Sequence, residues 1–301
     1  MIDLSAGVSY RDRASWLEGR RVGASSIAAI LGVSPYRGPW DVWLELRGEA
    51  PTRPATPDQL RGRRWEIRVL EEYEIATGRR VSVPTTSSIW TGANPWETAT
   101  PDAFAEHRGE LGVVEAKTDR VGHGWGPSGV EFERWEDGAE LLVRPDYALQ
   151  CYWLCRCTGA PWVDLAVLLP RYELRWYRLY SDPGTEEAIG DAVAAWYRRH
   201  IELEEQPDPD QSRACRDHAR ARLAARGRRP LMVADEPTAE LVELMAEARA
   251  EQKRSKAIAD EASSSLALRL LDSGASGYQL ERGRSARWTA GRSGHFRLYG
   301  F

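Results

Sequence analysis

Two carboxylates and one lysine stand out in the segment ATPDAFAEHRGELGVVEAKTD. Pro101-Asp102 ends one extended piece, and Glu115-Ala116-Lys117 lies on the next, with the turn-forming HRGE between them. Side chains alternate along a strand, so Glu115 and Lys117 share a face and Ala116 points the other way. A hairpin folded at HRGE carries Asp102 up beside them. A hard divalent cation takes oxygen ligands, one or two of them carboxylates and the rest waters and substrate phosphate. A lysine beside that cation positions an attacking water and offsets charge that develops in the transition state. These residue types suit metal-assisted hydrolysis of a phosphodiester. The same side chains would also make a surface ion pair, and spacing by itself leaves both readings open.

Composition singles out the lysine. Lys and Arg together number 41, yet only Lys117, Lys253 and Lys256 are lysine. A chain that writes arginine wherever either cation serves has a lysine where a compact ammonium is wanted in place of a planar, forked guanidinium.

The elements that must position these residues are legible in outline. Residues 14–48 read as short helices joined by turns, with Ser25 or Ser26 as a cap of SIAAIL. A longer helix is predicted from about Asp58 to Thr77, closed by Gly78. Strands follow at VSVPTTSSIW, around 97–100, and at ELGVVEAKT, whose Leu111, Val113 and Val114 belong to a core. Residues 118–143 form an insertion with Gly and Trp. A helix then runs from Pro145 through YALQCYWLCRCTG, and WVDLAVLLP and YELRWYRLY make a strand pair around Pro170-Arg171. Tyr147 and Gln150 are one helical turn apart and share a face. From Pro183 the pattern becomes helical, with a long amphipathic helix over 236–272 that carries Leu241, Leu244 and Met245, and a terminal hairpin turning at AGRSG. This gives two parts, 10–182 and 183–301.

Composition narrows the class. No run of apolar residues is long enough to span a membrane, and the N-terminus lacks a secretory pattern, which points to the cytoplasm. The net charge is −4, but arginines cluster locally: seven with one acid over 213–229, and five with no acid over 282–297. Such patches grip phosphate even on an acidic protein, or are simply solvated surface. The four cysteines, Cys151, Cys155, Cys157 and Cys215, lack zinc or iron–sulfur spacing and read as buried reduced thiols.

Taken in order, RRVGASSIAAILGVSPYRGPWDVWLELRG, RGRRWEIRVLEEYEIATGRRV, TPDAF, GVVEAKT and YALQCYWLCRCTG resemble the successive blocks of the YqaJ and lambda-exonuclease group of PD-(D/E)xK nucleases. The resemblance spans 16–159 and implies an α/β fold, a restriction-endonuclease-like core with a central mixed sheet flanked by helices. The region beyond 182 would be a helical and β-hairpin extension. It implies a Mg²⁺-dependent exonuclease, with Mn²⁺ as an alternative ion, acting 5′ to 3′ on ends of linear double-stranded DNA. An endonuclease, or a binding protein that has lost catalysis, is the alternative. Matched by position, Asp102, Glu115, the carbonyl of Ala116 and Glu66 would hold metal or its waters. Lys117 would be the catalytic lysine, with Tyr147 and Gln150 lining the site. Ser25 with Arg20 or Arg21 would bind the DNA 5′-phosphate. The resemblance further implies a single-strand annealing partner, a ring-shaped homotrimer in some relatives, and work in a phage-infected or prophage-carrying bacterium.

Overall fold

The computed structural model describes residues 8–9, 21–51, 54–84, 88–122, 124–134, 142–226, 232–271, 275–281, 284–289 and 295–299. The chain divides into two units, Met1–Gly227 and Arg228–Phe301. The first unit begins with β1 (Val8–Ser9), β2 (Val22–Gly23), α1 (Ile27–Ile30), α2 (Pro39–Leu46) and α3 (Pro57–Thr77). The strands β3 (Val81–Ser82), β4 (Ser88–Thr91), β5 (Glu97–Ala99), β6 (Ala103–His107), β7 (Glu110–Thr118) and β8 (Val130–Phe132) follow. Then come α4 (Pro145–Thr158), β9 (Trp162–Leu168), β10 (Leu174–Tyr180), α5 (Pro183–Tyr197) and α6 (Arg213–Ala225).

The central sheet has the order β3-β6-β7-β9-β10-β8. It is mixed: β6 and β7 are an antiparallel hairpin, while β7 runs parallel to β9. A smaller sheet orders β1-β4-β5-β2. The insertion after β7 contributes β8 as an edge strand, parallel to β10.

Alternation along β7 divides the core. Val113, with Phe104, Val163, Leu165 and Val167, faces α4 and its buried Cys151, Tyr152, Trp153 and Leu154. Val114 and Ala116, with Ala103, Ala105, Trp162 and Ala166, lie under Val69, Leu70 and Tyr73 of α3. Burying each large side chain contributes about 1.5–3 kcal/mol. Gly112 is obligatory, because a Cβ there would come within 2.2 Å of the Trp162 ring. The thiols of Cys151, Cys155 and Cys157 are free and buried, and burial raises their pKa values.

The predicted helix boundaries have visible causes. At α3, Thr56 Oγ1 accepts from Gln59 N (3.2 Å) and Gln59 Oε1 accepts from Thr56 N (2.9 Å), a reciprocal cap. Gly78 closes that helix at φ 70° and Gly159 closes α4 at φ 69°, both left-handed. The cap expected at Ser25 or Ser26 is absent. The chain enters α1 through a 3₁₀ turn, Ala24–Ser26, so Ser26 has helix-like angles (φ −93°, ψ −16°) where a side-chain cap needs an extended residue.

Residues 183–226, which the sequence groups with the C-terminal extension, pack within the first unit. Ile189, Val193 and Tyr197 of α5 are buried, Tyr197 stacks on Trp96 (4.4 Å), and His218 of α6 lies against Trp40 (5.1 Å). The second unit contains α7 (Glu236–Leu271) and a three-stranded antiparallel sheet of β11 (Gly277–Gln279), β12 (Ser285–Thr289) and β13 (His295–Tyr299). The β12–β13 pair is the expected hairpin; the AGRSG turn lies outside the described residues. Among the described residues no helix is long and apolar enough to cross a membrane.

A buried charge network holds α3 to the sheet. Arg178 and Asp164 face each other across β9 and β10, both 0% exposed, with Nε–Oδ1 at 2.7 Å and Nη2–Oδ2 at 2.8 Å. Tyr73 of α3 donates to the same carboxylate, and Arg79 reaches it at 3.1 Å. Asp164→Ala leaves Arg178 charged and uncompensated in the core, so a loss of about 3–5 kcal/mol is expected in urea unfolding. Replacing the pair together, Asp164→Leu with Arg178→Met, should cost much less. A single variant as stable as wild type would remove the network from the account of α3 docking.

Candidate active site

The β6–β7 hairpin does what the sequence requires. Ala103 pairs with Val114, which sets Asp102 opposite the Glu115 region. Asp102 Oδ2 accepts a hydrogen bond from Ala116 N at 2.9 Å, fixing the first carboxylate against the strand that carries the second. Glu115 is 2% exposed. Its Oε1 accepts from Lys117 Nζ and from Gln150 Nε2 of α4, the latter at 2.5 Å. Its Oε2 is buried without a hydrogen-bond partner among the described residues.

Electrostatics shows a site short of positive charge. Burial, reinforced by Asp102, pushes the Glu115 carboxyl up to about 8, and Lys117 only partly opposes this. Burial also raises Asp102, against Lys117 and the Ala116 N–H. Burial of the Lys117 amine pulls its pKa down, but Glu115 and Asp102 outweigh this and hold it above the usual lysine range. Glu66, on α3, is raised by partial burial and then by Asp102. It follows Gly62 and precedes Val69 and Tyr73 on the inward stripe of α3, yet is itself exposed. Three carboxylates thus surround one ammonium.

Among the described residues no group of three or more His, Cys, Asp and Glu side chains closes into a metal cluster. A Mg²⁺ site does not need one, because this ion keeps several waters and takes one or two carboxylates. The orphaned Oε2 of Glu115 and the raised Asp102 and Glu115 fit a hard divalent cation at this point.

One wall is aromatic. Lys117 Nζ sits 5.6 Å from the Tyr147 ring centroid, and Arg144 Cζ lies 4.7 Å from the same ring. Trp125, from the insertion, is stacked between Tyr147 and Tyr177, 5.7 Å from each. Asp119 anchors the insertion by accepting from Val121 N, Gly122 N and Trp125 Nε1 (2.7, 3.1 and 2.8 Å). The sequence named Tyr147 as a lining residue but not Trp125, Tyr177 or Arg144. The wall's one signal was a tryptophan in the glycine-rich stretch GHGWGPSG.

The geometry brings Asp102, Glu115, Ala116, Lys117, Tyr147 and Gln150 together, with Glu66 joined through its charge. Ser25 is exposed on the 3₁₀ turn that packs against α4, and Arg21 is half-buried just before β2. Ser25 shares no hydrogen bond with the carboxylate–lysine cluster among the described residues. Arg20 lies outside them.

A mixed sheet flanked by helices, with a Pro-Asp ahead of an interior strand that carries Glu-x-Lys, is the PD-(D/E)xK class of fold. Residues 15–161, about half of the chain, match the family model of the YqaJ-like viral recombinase domain, and this part of the chain belongs to that family. Among solved structures, the chain is similar to an alkaline exonuclease (LHK-Exo) from Laribacter hongkongensis. The two are 20% identical over 71% of this chain and 98% of that one, with a TM-score of 0.45. A phage related exonuclease from Haemophilus somnus 129PT is 12% identical over 62% of this chain and 96% of its own, with a TM-score of 0.39. No curated protein sequence matches the chain.

Proposed function

We propose that this chain is a metal-dependent DNA exonuclease that hydrolyses one strand from the ends of linear double-stranded DNA, 5′ to 3′. The observation that carries this reading is the convergence of Asp102, Glu115 and Lys117 on the β6–β7 hairpin, with Glu115 buried and its Oε2 left without a partner among the described residues. Asp102, Glu115 and the Ala116 carbonyl would hold Mg²⁺ or Mn²⁺, with Glu66 placed to hold its waters. When bound, such an ion would supply polarisation of the phosphate and a more acidic water. The chain's own residues do the rest. Ala116 N–H fixes Asp102, and Gln150 fixes Glu115. The Lys117 ammonium, held in its charged form, donates to the attacking water and then to the phosphate oxygen as negative charge accumulates. The Tyr147 ring limits the space open to that ammonium. The single strand left behind is the substrate of an annealing protein, which places the work in recombination in a phage-carrying host cell.

The test compares purified protein on linear and covalently closed circular duplex, each with Mg²⁺ and with EDTA. Digestion of the linear form alone, dependent on Mg²⁺, is expected. Cutting of the closed circle would make the chain an endonuclease instead. A third arm compares linear duplexes ending in 5′-phosphate and 5′-hydroxyl. If Ser25 with Arg20 or Arg21 reads the end, the phosphorylated duplex is cut faster, and Ser25→Ala with Arg20→Ala narrows the difference. Equal rates would leave those residues without that role.

A further inference from the structure

The turn between β9 and β10 has no place in the mechanism above, and its backbone is unusual. Arg171 (φ 65°) and Tyr172 (φ 64°) are consecutive non-glycine residues in the left-handed region. The loop closed by Leu169 N and Glu173 O holds Pro170, Arg171 and Tyr172, and consecutive left-handed residues favour Asn and Gly, because a Cβ is disfavoured at both positions. A bulky aromatic residue held there is an outlier whose natural explanation is use. Tyr172 is 71% exposed, and the Trp65 ring stacks on it at 5.6 Å and 28°. Trp65 immediately precedes Glu66.

The turn stands at the edge of the sheet where β7 ends. Lys117 pairs with Val167 and Thr118 with Leu168, so the parallel strands β7 and β9 finish together, and Asp119 N donates to Leu168 O at 3.0 Å. The surface around it is basic. Arg63, Arg64 and Arg171 are exposed and make no ion pair among the described residues. Arg61, Arg68 and Arg120 are exposed as well; Arg61 and Arg120 approach Asp58 at 3.2 and 3.9 Å, and Arg68 bonds Glu71 at 2.5 Å.

We propose that Trp65 and Tyr172 form a platform on which an unpaired nucleobase stacks at the mouth of the site, with Arg171 and the α3 arginines taking the flanking phosphates. The proposal rests on the reading of the site as one that takes DNA. Its parts are those of a single-strand binding surface: an aromatic face that accepts any base, bordered by cations that follow the backbone. Trp65 covers one face of the Tyr172 ring, which leaves the other for the base. The turn conformation keeps that ring outward.

The test uses the full chain in EDTA and a short single-stranded oligonucleotide carrying 2-aminopurine, whose fluorescence falls on stacking. Wild type and Tyr172→Phe are expected to quench the probe. Tyr172→Asn, which suits the left-handed backbone, should lose the quench and bind about tenfold more weakly, the scale of one base–aromatic contact. Thermal melting checks that its fold is kept, and Tyr172→Gly serves as a second turn-compatible variant. Absence of quenching by wild type, or equal affinity in Tyr172→Asn, overturns the proposal whether or not the protein cuts duplex. A Tyr172-dependent quench in a protein that cuts no DNA would keep the platform and discard the nuclease reading.

Discussion

Lys117→Arg is expected to slow single-turnover cleavage of a linear duplex by about two orders of magnitude or more, in the range seen when a charge-stabilising group is removed. The substitution keeps the charge, so the loss would come from shape. The Lys117 amine is confined by Glu115 on one side and the Tyr147 ring on the other. A guanidinium is longer, planar and forked, and cannot place one compact ammonium at a water. It would also compete with Gln150 for Glu115 Oε1, displacing the group that holds that carboxylate. Lys117→Ala should be similarly slow. DNA affinity should fall little in either variant, because one cation among many phosphate contacts contributes a small share. Rates near wild type for the arginine variant would show that charge alone suffices and that the lysine is an accident of composition.

Glu115→Gln and Asp102→Asn are each expected to abolish cleavage while DNA binding survives, through loss of a charged oxygen ligand at a hard cation. Glu115→Gln carries a second, opposite expectation. The folded-state pKa of Glu115 is raised from 4.5 to about 8, so below pH 4.5 the folded and unfolded chains are both protonated there. As pH rises toward 8, the unfolded chain sheds the proton and the folded site retains it. The associated stability is therefore present at low pH and lost as pH rises through about 8. In EDTA, the wild-type melting temperature should fall as pH rises from about 4.5 to about 8, the window between the unfolded and folded pKa values, and level off above it. Glu115→Gln should flatten that fall, giving an inactive protein that is relatively more stable at high pH. An unchanged slope in the variant would assign the pH dependence to another group, and full turnover would remove Glu115 from the metal site.

The parts of the site that lie close in sequence were legible because local rules determine them. Strand alternation put Glu115 and Lys117 on one face and Ala116 on the other, and the short HRGE connection left Asp102 no other neighbour. Gly78 and Gly159 marked their helix ends because only a left-handed residue terminates a helix that way. Family resemblance, rather than spacing, supplied Glu66, Tyr147 and Gln150. What was not legible depends on contacts between distant segments. Trp125 meets Tyr147 and Tyr177 only after the insertion has joined the sheet. Asp164 gave a signal that went unread: a carboxylate inside the apolar run WVDLAVLL demands a buried partner, and Arg178 lies in register with it. An apolar stripe reveals that a helix has a buried face but not what covers it. The helices of 183–226 accordingly looked like an appendage, although they complete the first unit.

The edge position of β8 gives the site unequal resistance to opening. Three residue pairs, Val130–Phe132 with Tyr177–Leu179, tie that strand to the sheet, whereas β7 is paired along both sides. Local unfolding follows such differences, with lightly held edges separating at a fraction of the global cost. Trp125 has its own ties, to Asp119 through Nε1 and to Arg175 through its carbonyl, so loss of the β8 edge would free the outer part of the insertion while the hairpin bearing Asp102, Glu115 and Lys117 stayed closed. On the proposed reading, such an opening would widen the approach to the site without disturbing the groups that carry the chemistry.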